Sequence, residues 1–367
     1  MRNSYYLFYL ILSFILFDGC RRKNKETEPA KPTAIDVSAG ETHSFVLKSD
    51  NTLWFFGSQN FTIAGNGSSG YDPVPKTIMT DVIAIRSGLT HNFIIKKDSS
   101  LWAFGSNFFG QLGLGTAAGV SKREPVLLMQ GVKDAAAGIS HSLVLKNDNT
   151  LWAFGNNDRG QIGDGTNTNR FTPVQIMSGV KSISTRGYHN LILRMDNSVW
   201  AFGANPYRQI RSQAGDILAP TKIMDDVKQI FTGITESFFL KQDDSLWMLG
   251  LDASAGFSNG YVVRESPYLL MKDVESIYPA NCYLILQKDK SLWGAGSNKY
   301  GQLGTGDTND KTSFTKIMDN VKAAAAGHQH TLILKNDNTV WAVGLNTNGQ
   351  LGDSTLTTRF RPVRVKI

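Results

Sequence analysis

Residues 137–163 read AGISHSLVLKNDNTLWAFGNNDRGQIG, and the spacing inside this stretch recurs along most of the chain. Asp148 stands four residues before Trp152, Thr150 two before it, and Gly155 three after it. Ser142-Leu-Val-Leu145 precedes the Asp, and Leu151-Trp-Ala-Phe154 surrounds the Trp. Two short apolar runs separated by a polar Asp-Asn segment predict two strands and a tight turn. The Asp148 carboxylate is expected to accept from backbone N–H groups two or three residues on and so fix that turn.

All seven tryptophans obey this ruler. Trp54, Trp102, Trp152, Trp200, Trp247, Trp293 and Trp341 follow one another at 48, 50, 48, 47, 46 and 48 residues. Each has Asp four before it, Ser or Thr two before it, Leu or Val just before it and Gly three after it. A second column holds Met79, Met129, Met177, Met224, Met271 and Met318, each with Val three residues on. That spacing predicts a short turn carrying one repeat into the next. Each repeat thus offers about four short strands: one ending at Ala-Gly, the His-Ser-x-x-Leu strand, the Leu-Trp-x-Phe strand and the Pro-Val-x-Ile strand. Four strands in roughly 50 residues is one propeller blade. The 336 residues from Pro32 to Ile367 are seven times the period of 48, so no long stretch remains for another domain. The predicted fold is all-β, a seven-bladed β-propeller over 33–367 with about four antiparallel strands per blade. The competing open β-solenoid needs shorter repeats and terminal caps.

Composition agrees. Glycine reaches 35 residues, as many regular turns require. Two cysteines exclude a disulfide framework and a four-cysteine zinc site. A net charge of +7, with no basic run in the globular part, falls short of a nucleic-acid-binding domain.

The columns resemble the regulator of chromosome condensation repeat family. The residues that carry the resemblance are AGISHSLVL at 137–145, WAFG at 152–155 and NNDRGQIG at 156–163. SNFFGQLG at 106–113, SNKYGQLG at 297–304 and LNTNGQLG at 345–352 repeat the last motif. The resemblance covers essentially all of 32–367 and implies a seven-bladed propeller. Three blades depart from the Gly-Gln-Leu-Gly loop, with Thr62-Ile-Ala-Gly65, Arg208-Gln-Ile-Arg211 and Ala255-Gly-Phe-Ser258. The nuclear member is an exchange factor for a small GTPase and uses a wedge-like insertion. Here no repeat exceeds 50 residues, so no wedge is visible. Secreted bacterial members include a β-lactamase-inhibitory protein that binds its target with one propeller face.

The N-terminus reads as an address. Tyr5 to Phe17 is an apolar run of 13 residues, shorter than the roughly 20 a membrane-spanning helix needs. Residues 1–19 are expected to be a signal peptide of lipoprotein type, with Cys20 the lipid-attachment residue. That processing site calls for an aliphatic residue three before the Cys and a small one two before, where this chain has Phe17 and Asp18. The alternative is a plain secretory signal cut near Gly19. Residues 20–32 are a polar tether, RRKNKETEPAKP after the Cys, with nothing to bury. The expected location is the bacterial cell envelope, lipid-anchored, or secretion if Cys20 is not processed.

Candidate chemistry was sought against this background. His43, His91, His141, His189 and His330 stand eleven residues before a Trp, with Glu236 and Cys282 in the same column. One copy per blade points to packing and hydrogen bonding, not to catalysis or metal binding. His328 is off the column and, two residues from His330, shares a strand face with it. Gln111-Leu-Gly113-Leu-Gly115 lacks the P-loop Lys, and Asp307-Thr-Asn309-Asp310 lacks the Gly and distal Glu of a calcium loop. No catalytic residue, metal site or cofactor is therefore expected, and the chain reads as a non-enzyme. The variable column is more telling. Seven residues after the Trp come Phe61, Phe109, Arg159, Tyr207, Ser254, Tyr300 and Asn348. Phe61, Phe109, Arg159, Tyr207 and Tyr300 are of the type that anchors protein interfaces. They are the expected partner-binding residues of a monomer that holds an unknown protein by one face. The membrane enters only through the anchor, and nucleic acid is not a partner. Other readings are a glycan-binding or glycan-processing propeller, which needs clustered acids in its channel, and an inhibitor of an extracytoplasmic enzyme.

Overall fold

The computed structural model describes residues 31–59, 70–115, 119–252 and 262–367; within them the chain forms 28 β-strands and no helix. The strands make seven four-stranded antiparallel sheets, each built from one continuous stretch of chain. Blade one is β1 (Ala34–Ala39), β2 (His43–Lys48), β3 (Leu53–Ser58) and β4 (Tyr71–Met79). Blade seven is β25 (Val321–Ala326), β26 (His330–Lys335), β27 (Val340–Gly344) and β28 (Arg359–Arg364). The first strand of each blade meets those of both neighbours, β1 touching β5 (Val82–Ser87) on one side and β25 on the other. The ring is closed, which excludes the solenoid. Blades seven and one meet without exchanging a strand.

The repeat columns have direct physical causes. Asp148 Oδ1 accepts from the Thr150 backbone N–H at 3.0 Å and from its hydroxyl at 2.6 Å, and Thr150 Oγ1 accepts from the Trp152 indole at 2.9 Å. The same trio closes the central hairpin of every blade. The hydroxyl bond holds each of these carboxylates below its ordinary range. Gly155 sits at φ 110°, and a Cβ there would come 2.7 Å from the His141 Cα. No side chain fits, which explains the glycine three residues after every Trp.

The histidine column is a belt between blades. His43 Nε2 bonds Asn92 Oδ1 at 3.1 Å, His91 bonds Ser142 at 2.8 Å, His141 bonds Asn190 at 2.8 Å, and His189 bonds Ser237 at 3.1 Å. His330 bonds Ser44 at 2.9 Å and so carries the belt from blade seven to blade one. Ser44 spends its proton on the Gln350 carbonyl, and Ser142 on that of Gln111, both at 2.7 Å. The histidine partners of these serines must therefore donate from Nε2. In blade five Glu236 takes the place and accepts from the Tyr283 hydroxyl at 3.1 Å. The step from Cys282 to Thr331 makes no such bond, and the buried Thr331 hydroxyl is left without a partner. Around the belt the sheets pack face to face on Phe, Leu and Ile, with Phe93 of blade two edge-on to Phe154 of blade three at 6.2 Å. One reading of the sequence needs correction. His328 lies in the turn before β26, not on a strand face with His330, because the strand begins only at His330.

Burial holds His91, His189 and His330 down to about 3 and His43 and His141 down to about 4. The unfolded chain takes up these protons near 6.5 and the ring does not. The histidines' contribution is therefore complete above that pH and shrinks as pH falls, by about 1.4 kcal/mol per unit for each. Glu236, pushed up to about 7 by burial, acts in the opposite sense: its contribution shrinks as pH rises from about 4.5 to about 7. Five groups outweigh one. Urea titrations are expected to show stability falling steeply between pH 7 and 5, with a slope smaller by about one proton in His141→Gln. Closure makes a second prediction. Excising one repeat, residues 132–179, should abolish the compact monomer on size-exclusion chromatography.

Candidate protein-interaction face

One face of the ring carries the turns before the second strands and the longer loops between the third and fourth strands. In those loops a buried Asn and a buried Gln do the shaping. Asn157 Oδ1 accepts from the Ile162 N–H at 2.9 Å, while its amide reaches the carbonyls of Thr166 and Thr168. Gln161 Oε1 accepts from the Arg159 N–H at 2.7 Å. The same Gln bond pins the backbones of Phe109, Tyr207, Tyr300 and Asn348 at 2.9–3.0 Å. The variable column is therefore held by its backbone and leaves its side chains outward. Phe109, Tyr207 and Tyr300 are 43%, 40% and 38% exposed, and Arg159 is exposed with an ion pair to Asp216 at 3.3 Å. Phe61 lies outside the described residues, as do Cys20 and the signal segment.

The blade-four loop, which the sequence reads as degraded, keeps this geometry. Arg208 adopts φ 62° where Gly110 and Gly160 stand at 79° and 74°, and Asn205 and Gln209 make their usual bonds. The position is half-buried, and Arg208 takes the left-handed backbone there at a modest cost, its guanidinium 3.8 Å from Glu265. The other two departures fall among residues that are not described.

Three of the column residues line two adjoining clefts. The first, about 420 Å³, holds Phe108, Phe109 and Tyr188; the second, about 510 Å³, holds Arg159, Tyr188 and Tyr207. Tyr300 occupies the equivalent place in blade six and lines neither. Sequence reasoning missed Phe108 and Tyr188. The signal for Tyr188 was its position just before the column His, where the other blades carry Thr, Ser, Asn or Gln.

The central channel, about 530 Å³, is lined by the first strands of all seven blades. Arg86 donates to Asp134 at 2.9 Å and lies 4.0 Å from Asp36, so two carboxylates face one guanidinium. Burial raises Asp36 in spite of that Arg. Arg186 follows β13 (Val180–Thr185) and donates to the Ala326 carbonyl of blade seven at 2.9 Å. Among the described residues no group of three His, Cys, Asp or Glu side chains is placed to hold a metal ion. Asp307 is engaged by Lys311 at 2.9 Å, and Asp310 by the Asn298 N–H at 2.7 Å. Burial pushes the Cys282 thiol up to about 12, far from a reactive thiolate.

Ring and loops together define a seven-bladed β-propeller with a repeated loop motif along one face. Models of the Regulator of chromosome condensation (RCC1) repeat match residues 98–145, 148–193 and 289–334 in one form, and 132–161 and 321–350 in another. These stretches of the chain are regulator of chromosome condensation repeats. No curated protein sequence matches it. Among solved structures, human WBSCR16 is 18% identical, covering 83% of this chain and 87% of its own, with a TM-score of 0.72. Yeast RCC1 (Prp20), solved bound to Kap60, is 20% identical, covering 92% and 84%, also with a TM-score of 0.72. At these identities the likeness is one of fold.

The pinned loops predict a sharp contrast in thermal melts. Tyr207→Ala and Tyr300→Ala should leave the Tm nearly unchanged, because exposed side chains contribute little to the fold. Gln161→Ala should cost about 1–3 kcal/mol by stranding the buried partners of its amide.

Proposed function

We propose that this protein is a non-enzymatic, envelope-tethered interaction module that holds a protein partner against its loop face. The observation that carries the reading is the pairing of outward Phe109, Arg159, Tyr207 and Tyr300 side chains with backbones locked by buried glutamines. Rigid presentation lowers the ordering cost of binding, and Tyr and Arg are enriched where interfaces concentrate their energy. Yeast RCC1 (Prp20), which shares this fold, has been solved with Kap60 bound to it. An inhibitor of an extracytoplasmic enzyme is one form such a module takes. Asp36 and Asp134 both facing Arg86 favours binding over a glycan-processing reaction, which needs a carboxylate pair free to act. Tethering rests on the apolar run, Gly19-Cys20 and the polar segment behind them.

The test has two arms. Capture from envelope extract should identify a protein whose affinity falls by about 2 kcal/mol or more in Tyr207→Ala and in Tyr300→Ala. Unaltered capture would place the binding surface elsewhere. Metabolic labelling with a fatty acid should mark the wild type and not Cys20→Ser; equal release of both into the medium would mean a plain secretory signal.

A further inference from the structure

On the loop face Asp310 accepts from the Asn298 N–H, and Asp164, Asp216, Asp307 and Asp353 each hold an Arg or Lys of the same or an adjoining blade. Glu41 and Asp158 do not. Glu41 is exposed and makes neither an ion pair nor a hydrogen bond among the described residues. Asp158, also exposed, accepts only from the Asn156 amide at 2.9 Å and the Asp158 N–H is served by that same Asn. Both line the first cleft, together with Phe108, Phe109, Ile139 and Tyr188, and among the described residues no Lys or Arg lines it. Phe108 is 54% exposed and Tyr188 40%.

This combination selects a ligand by charge and shape. Aromatic faces present negative π density and attract a cation within about 6 Å. Two carboxylates without a resident cation add to that attraction, in a cleft of about 420 Å³ with an apolar floor. An anion gains nothing there. A guanidinium or ammonium on an aliphatic stem gains three contacts together: stem on the apolar wall, head over an aromatic ring, and charge against a carboxylate. The second cleft shares Tyr188 and Asp158 with the first and adds Tyr207, Pro206 and Ile234, with Arg159 held by Asp216 at 3.3 Å, and continues the groove for a neighbouring apolar side chain.

We infer that the cleft between blades two and four is the socket for an Arg or Lys side chain of the partner protein, carried on a segment with an apolar residue beside it. The inference rests on reading this face as the partner surface. It adds that the partner's contact segment is basic, although this chain is itself positively charged at +7.

Fluorescein-labelled peptides that differ at one central position test it by anisotropy: Leu-Arg-Leu, Leu-Gln-Leu and Leu-Glu-Leu cores in otherwise identical Gly-Ser peptides. The Arg peptide should bind the full chain at least about tenfold more tightly than the Glu peptide. Glu41→Gln/Asp158→Asn should erase most of that preference with an unchanged Tm. Raised salt should weaken the Arg peptide more than the Gln one. Equal binding of the three peptides, no binding of the Arg peptide, or a preference untouched by the double variant would overturn the inference. The interaction face stands or falls separately. If Phe109→Ala/Tyr207→Ala abolishes capture of the natural partner while Glu41→Gln/Asp158→Asn does not, the face is right and the basic socket is wrong.

Discussion

The hydrogen bond from one blade's column residue to the next blade's second strand is what turns seven separate sheets into one object. Neighbouring sheets share only scattered backbone bonds, such as that from the Gly115 N–H to the Phe171 carbonyl at 2.9 Å, and no strand ladder, so backbone bonding alone does not set the ring. The belt of His43, His91, His141, His189 and His330 supplies a polar link that works only at the correct blade-to-blade angle, inside an otherwise apolar seam. Burying a neutral imidazole is tolerable when its N–H is satisfied and costly when it is not. The same atoms tie the loop face to the belt. Ser142 receives the bond from His91 and passes its own proton to the carbonyl of Gln111, the residue whose side chain pins Phe109. Ring geometry and loop geometry are thus one hydrogen-bonded system.

Blade count, strand order and hairpin chemistry were legible in the sequence because each depends on a local, repeated cause. The Asp-x-Ser/Thr-x-Trp trio acts within five residues, and the glycine after it answers a contact inside one sheet. The column spacing therefore carried them. What joins the blades was only half legible. A repeated His announced itself as architectural, but its partner stands about 49 residues away on a strand that looks ordinary by itself. The blade-four loop shows the converse. Its lost glycines suggested a lost turn, whereas the turn is set by Asn205 and Gln209, which the sequence retains. The site was legible as a column but not as a surface. Phe109, Arg159 and Tyr207 were visible, but the two clefts they line are joined by Tyr188, which comes from a different turn, in blade four.

The belt is not uniform, and its exceptions cluster. Glu236 and Cys282 fall in adjacent blades, close to Arg186, whose guanidinium burial lowers to about 10 while the nearby Glu236 and Cys282 oppose the shift. Arg186 stands where the next residue of its column neighbours is glycine, and it reaches a carbonyl of blade seven. A polar bar thus lies across the channel on the side where the histidine link is replaced. Asn281, donating to the His328 carbonyl at 3.2 Å, supplies a link between blades six and seven where Cys282 supplies none.

Blades one and seven exchange no strand, and their joint is made of the same kinds of parts as other joints: a column hydrogen bond, a serine on a loop carbonyl as between blades two and three, and apolar side chains between sheets. The ring therefore has no privileged clasp. Its connectivity is cyclic in every respect but the peptide bond, and any of the two-residue Met-to-Val turns could serve as a new pair of ends for a circularly permuted chain. For evolution this means that a blade can be gained by duplication at any point of the circle. For mechanics it means that tension on the two ends peels side chains apart one pair at a time and meets no ladder of backbone bonds that must shear together.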